Sequence, residues 1–196
     1  MDGTLGRINH RFLLSPQGWS GYFGGVLKPL PRTRSCFVCG LENRAGLNLS
    51  FQADGDAVHG RWVPRPEFAG YHDVIHGGLT ATVLDEVMTW ACAVAARRFC
   101  YCAELSVRYL QPVHPGEELT LRAVLTANRR ERVYEATGEV IDARGQVRAS
   151  ARGKYLPIPT GALAAMAADF VGDASPYLGA TPSVDRDGGE PRPSQP

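Results

Sequence analysis

The stretch GLTATVLDEVMTWACAVAA, residues 78–96, limits the fold of this chain more than any other feature. Read at helical period, its Leu79, Val83, Leu84, Val87, Met88, Trp90, Ala91, Val94 and Ala95 leave almost no polar side. A helix that apolar has to be wrapped by something. Four strand candidates follow it, AELSVRYL (103–110), ELTLRAVLTAN (118–128), RVYEATGEVID (132–142) and QVRASARGKYL (146–156), each alternating at period two. Upstream, GLNLSFQ (46–52) and AVHGRWV (57–63) flank an ADGD turn and read as a hairpin. Such strands have one wet face and one covered face, and the helix is the only long element available as the cover. The expected fold is therefore α+β, a curved antiparallel sheet wrapped around one central helix.

At 196 residues the chain fits one domain with loose ends. Residues 1–35, rich in Gly, Pro and Arg, read as an irregular arm. Residues 36–158 carry the domain, 159–171 a short alanine-rich helix, and 172–196 lack the apolar side chains that offset ordering entropy and read as a disordered tail. Lys plus Arg number 21 against 20 Asp plus Glu, so no global field recruits nucleic acid or a membrane. No stretch approaches the roughly 18 apolar residues of a membrane span. Five cysteines at irregular spacing suit reduced thiols, and the reading is a soluble, cytoplasmic protein.

The helix nonetheless holds two adjacent carboxylates, Asp85 and Glu86. Buried carboxylates are costly unless paired or functional. Immediately before the helix stand His72, His76, Gly77 and Gly78.

His76-Gly77-Gly78, with a carboxylate nine residues after the histidine, resembles the motif of the hotdog-fold acyl-CoA thioesterases of the PaaI-like and 4-hydroxybenzoyl-CoA thioesterase type. HGGLTATVLDE (76–86) is similar to that family's helix, the element order matches the hotdog fold, and the likeness covers roughly residues 36–158. It implies hydrolysis of an acyl-CoA or acyl-carrier-protein thioester, with no cofactor and no nucleic-acid or membrane partner. It also implies a homo-oligomer, a dimer or a dimer of dimers. Relatives of the PaaI type place an Asn six residues before the motif histidine; here Gly70 stands there, with His72 as a substitute.

Thioester hydrolysis needs an activated water or a carboxylate nucleophile, and donors aimed at the developing oxyanion. Gly77 and Gly78 leave the first amides of the helix open, in the positive field of its N-terminus. The Gly78 N–H is the expected oxyanion donor, His76 orients the loop or thioester, and Asp85 is the base or nucleophile. Gly78 and Asp85 lie about 10 Å apart along the axis, too far to act on one carbonyl within one chain. The resemblance resolves this by dimerisation, one chain's Gly78 facing the other's Asp85. Thr82 and Thr89 share the face of Asp85 and are candidates to hydrogen-bond it. Glu86, about 100° further round, is a solvated or interface carboxylate, or else the base in place of Asp85.

Arg129, Arg130 and Arg132 cluster at a turn, as a phosphate clamp for coenzyme A or as a solvated hairpin tip; Arg97 and Arg98 suit the helix C-terminus. Met88 and Trp90 are candidates to line an acyl groove, although core packing is their usual fate. Cys36-x-x-Cys39 is half a zinc pattern, and Cys100-x-Cys102 is wrongly spaced to complete it; separate thiols, with no metal, are expected. Two other functions compete with hydrolysis: a non-catalytic acyl-CoA-binding hotdog protein, and a hotdog dehydratase, whose Asp-to-His spacing of five is missing here.

Overall fold

A computed structural model describes residues 27–179. Two short strands, β1 (Lys28–Pro29) and β2 (Arg32–Thr33), precede the hairpin of β3 (Phe51–Asp54) and β4 (Ala57–Trp62). A small ribbon, β5 (Ala69–Tyr71) and β6 (Val74–Ile75), leads into α1 (Gly77–Ala96). Then come β7 (Cys100–Tyr109), β8 (Leu119–Arg129), β9 (Val133–Asp142) and β10 (Val147–Pro157), followed by α2 (Thr160–Asp169) and β11 (Phe170–Val171). The large sheet runs β1-β3-β4-β8-β9-β10-β7, antiparallel throughout, and α1 packs on β4, β7, β8, β9 and β10. This is the hotdog arrangement expected from the sequence.

The core is the interface between α1 and the sheet: Val83, Leu84, Val87 and Met88 meet Val58, Leu119, Leu121, Tyr134 and Val140, all essentially inaccessible to solvent. At about 25 cal/mol per Å² of apolar surface, each such side chain contributes roughly 1.5–3 kcal/mol. By length and composition α1 is apolar enough to cross a membrane, a property the sequence reading missed, but here the sheet wraps it. In β8, β9 and β10 buried positions alternate with more accessible ones. The edge strand β7 is largely exposed on both faces.

The two ends differ from expectation. Within the supposedly irregular arm, β1 pairs with β3 and β2 with β11, so residues 28–29 and 32–33 are strand; residues 1–26 lie outside the described residues. Residues 172–179 of the expected disordered tail have defined structure: Tyr177 is 3% exposed and stacks edge-on against Trp90, at 5.8 Å between ring centroids. Trp90 likewise meets Phe99 and Phe170 edge-on, and this aromatic cluster supplies the burial that composition alone did not promise. Residues 180–196 lie outside the described residues.

Candidate functional site

A cleft of about 530 Å³ opens at the start of α1, lined among others by Tyr71, His76, Gly77, Thr80, Tyr109 and Leu110. His76 is the N-cap of α1, and its Nδ1 accepts the Gly78 N–H at 2.9 Å. The Leu79 and Thr80 amides donate to the His76 carbonyl. The Gly78 amide, expected to be open, is thus engaged in the cap, because a side-chain acceptor at the N-cap takes the N–H two residues on. The Gly77 N–H has no acceptor among the described residues, and Gly77 lines the cleft. Above it, the Tyr109 hydroxyl donates to the Gly77 carbonyl at 2.9 Å.

Gly70 has a steric reason to be glycine. A Cβ there would stand 3.0 Å from both Cα and Cδ2 of His76, tighter than most packed contacts, so a larger residue requires the cap to give by a few tenths of an ångström. His72 is exposed and does not line the cleft, so it does not replace that residue. Asp73 pairs with His114, through a carboxylate contact at 3.3 Å and a bond between His114 Nδ1 and the Asp73 carbonyl. It is therefore not partnered with His76, as a dehydratase reading would want.

Two turns along the helix, Asp85 Oδ1 accepts a hydrogen bond from the Tyr155 hydroxyl at 3.0 Å. Tyr155 is fully buried, and burial followed by the neighbouring Asp85 charge holds its phenol above the usual range, so it stays a donor. Its ring reaches back over Gly153, where a Cβ would stand 2.6 Å from a ring carbon. Cys102 is the cross-strand partner of Tyr155; burial first, and the Asp85 carboxylate next, push its thiol up to about 11. Neither threonine serves Asp85: the Thr82 hydroxyl donates to the Gly78 carbonyl at 2.8 Å, and Thr89 has no bond to Asp85. Tyr155 and Cys102 escaped the sequence reading; the one available signal was a glycine two residues before a tyrosine in an alternating strand.

Glu86 is not a solvated carboxylate. It is half-buried against the loop after β2, with Cys36 Sγ 3.9 Å from each of its oxygens. Burial, then the Cys36 charge, holds its carboxyl up at about 7. The neighbouring Cys39 lowers the Cys36 thiol to about 6, while Cys39 itself is pushed up. Cys100 and Cys102 take no part in this cluster: Cys100 is buried near the Arg98 carbonyl, and Cys102 belongs to Asp85.

The remaining candidates separate from the cleft. Met88 is 0% exposed, filling the space where Gly138 has no side chain, and Trp90 anchors the aromatic cluster, so neither lines an acyl groove in this chain. Arg97 is the C-cap of α1 in the left-handed region at φ 55°. Arg129 is ion-paired with Glu135 at 2.6 Å, and Arg130 and Arg132 sit at the β8–β9 turn. That turn lies eight residues beyond Leu121, which is in register with Val140 and Ala149 at the cleft end, or roughly 25 Å along the strand.

The sequence model of the thioesterase superfamily matches residues 72–147. Among solved structures, a thioesterase superfamily protein is similar at 29% identity and a TM-score of 0.59, over 63% of this chain and 60% of that one; the chain thus spans less than two thirds of that relative. The PaaI protein of the phenylacetic acid degradation operon of E. coli is similar at 18% identity and a TM-score of 0.53, over 58% of this chain and 81% of that one. A Streptococcus mutans protein bound to acetyl CoA is similar at 17% identity and a TM-score of 0.53, over 60% of this chain and 94% of that one. No curated protein matches the chain. Residues 72–147 thus match the thioesterase superfamily by sequence, and the chain is similar in fold to solved proteins of that superfamily.

Proposed function

We propose that the protein hydrolyses the thioester of an acyl-CoA or acyl-carrier-protein substrate in the cytoplasm, at a site completed by two chains. The observation that carries this reading is the separation within α1. The cleft and the free Gly77 amide are at its first turn, whereas Asp85, the helix carboxylate oriented by a buried donor, is two turns away. A second copy, docked along the exposed edge strand β7 or along α1, would bring one chain's Asp85 to the other chain's cleft.

In this site Asp85 takes a proton from water as the resulting hydroxide bonds to the carbonyl carbon. The Gly77 N–H holds the oxyanion, joined by the Gly78 N–H when His76 turns away from it. Collapse of the intermediate breaks the C–S bond, and the thiolate leaves to be protonated, giving a carboxylic acid and a free thiol. Asp85 attacking directly, through an anhydride, is the other form of the same chemistry. Tyr155 fixes which oxygen of Asp85 is available. Arg130 and Arg132, roughly 25 Å along the strand from the cleft of their own chain, are proposed to meet the phosphates of coenzyme A held at the partner chain's cleft.

The test is thiol release from a panel of acyl-CoA and acyl-carrier-protein thioesters by the wild type and Asp85→Asn. Turnover on at least one member, lost in the variant, supports the reading. Saturable acyl-CoA binding with no turnover on any member replaces it with the non-catalytic one, which the engaged Gly78 amide favours.

A further inference from the structure

Cys36 and Cys39 lie in the loop between β2 and β3, and Glu86 reaches that loop from α1 across fifty residues of sequence. The two Sγ atoms and a Glu86 carboxylate oxygen all lie within 4.8 Å of one another. Tetrahedral zinc, with bonds of about 2.3 Å to sulfur and about 2.0 Å to oxygen, keeps such donors roughly 3.5–3.8 Å apart. The 3.9 Å from Cys36 Sγ to each Glu86 oxygen needs only a slight contraction to meet that.

We propose that Cys36, Cys39 and Glu86 bind one divalent ion of the zinc class, with water as the fourth ligand. The loop is built as such sites are built. The Val38 N–H donates to Cys36 Sγ at 3.2 Å, and the Thr33 hydroxyl contacts Cys39 Sγ at 3.6 Å while accepting the Cys36 N–H at 3.1 Å. These contacts orient the sulfurs from outside the ligand set. The Gly40 N–H closes the turn onto the Cys36 carbonyl at 2.9 Å, and a Cβ at Gly40 would stand 2.2 Å from that oxygen, so a glycine must follow the second cysteine. β2, hydrogen-bonded to β11, holds the loop's entrance. Two thiolates select a borderline-soft ion over magnesium or calcium, and the half-buried Cys36 and Glu86 leave it a way in. Binding releases the thiol protons and ties the arm to α1 one residue from Asp85.

The test uses the full reduced chain, stripped by chelator and titrated with Co²⁺, then with Zn²⁺, and reads no turnover. A thiolate-to-cobalt charge-transfer band with tetrahedral d–d absorption should saturate at one ion per chain and be displaced by Zn²⁺. Cys36→Ser and Glu86→Gln, checked for fold by circular dichroism, should each weaken binding by about tenfold or more. Cys102→Ser should retain the band. Absence of the band in the folded wild type overturns the proposal, as does a band that Glu86→Gln and Cys36→Ser both keep.

Discussion

Asp85 and Glu86 are neighbours of nearly the same chemistry, yet α1 delivers them to different parts of the molecule. The turn of 100° between them points Asp85 at β10, where Tyr155 hydrogen-bonds it, with Cys102 of β7 as the next neighbour that it influences, and Glu86 at the Cys36–Cys39 loop. One carboxylate is oriented by a buried phenol held above its usual range; the other is held up first by burial and then by the Cys36 charge. Adjacent acids on one helix thus acquire distinct surroundings through the elements packed against each side.

The largest effect expected from this contrast is on turnover. Asp85→Asn should lower kcat by about 10²–10⁴-fold with little change in thermal stability, the range for loss of a general base, and Glu86→Gln should lower it far less. Steady-state kinetics on the two variants checks this; the reverse order would exchange their roles. Next comes the support of Asp85. Tyr155→Phe removes one hydrogen bond to a charged group and should cost about 1.5–3 kcal/mol of whichever state needs it. That cost should fall mainly on kcat, and a loss confined to the melting temperature would make Tyr155 a packing residue only.

Gly70→Asn introduces the side chain that the resemblance led one to expect, but here it should lower activity. The new Cβ meets His76 at 3.0 Å, and overpacking of this kind costs roughly 1–3 kcal/mol. A raised kcat in the Gly70→Asn variant would show that the cap yields freely. The smallest effect is on Cys102. Although exposed, its thiol is held up to about 11, so at pH 8 it is mostly un-ionised and should alkylate more slowly than an ordinary exposed cysteine. Asp85→Asn removes the second cause of that shift and should speed the reaction, as mapped by mass spectrometry.

The helix, the hairpin and the four long strands were legible because their periodicities are local properties of the chain. The cap at His76 was half legible: the histidine and glycines marked a functional loop, but which amide the ring would occupy depends on its rotamer. The partners of Asp85 were not legible. Tyr155 lies 70 residues on and reaches the carboxylate only because Gly153 clears its path. Glu86 read as solvated for the same reason, since nothing near it in sequence announces Cys36. Tyr177 was lost in a polar tail whose composition hides a single anchoring aromatic.

If the two ends of the chemistry come from two chains, mixing two inactive variants should restore activity. Subunits carrying Asp85→Asn are mixed, under conditions of proven exchange, with subunits carrying Gly77→Val, which crowds the free amide and Tyr109. Random exchange makes half the dimers mixed, each with one intact site, so about a quarter of the wild-type rate should return from two inactive parents. No recovery despite proven exchange, or an active monomer by light scattering, would contradict a site shared between chains.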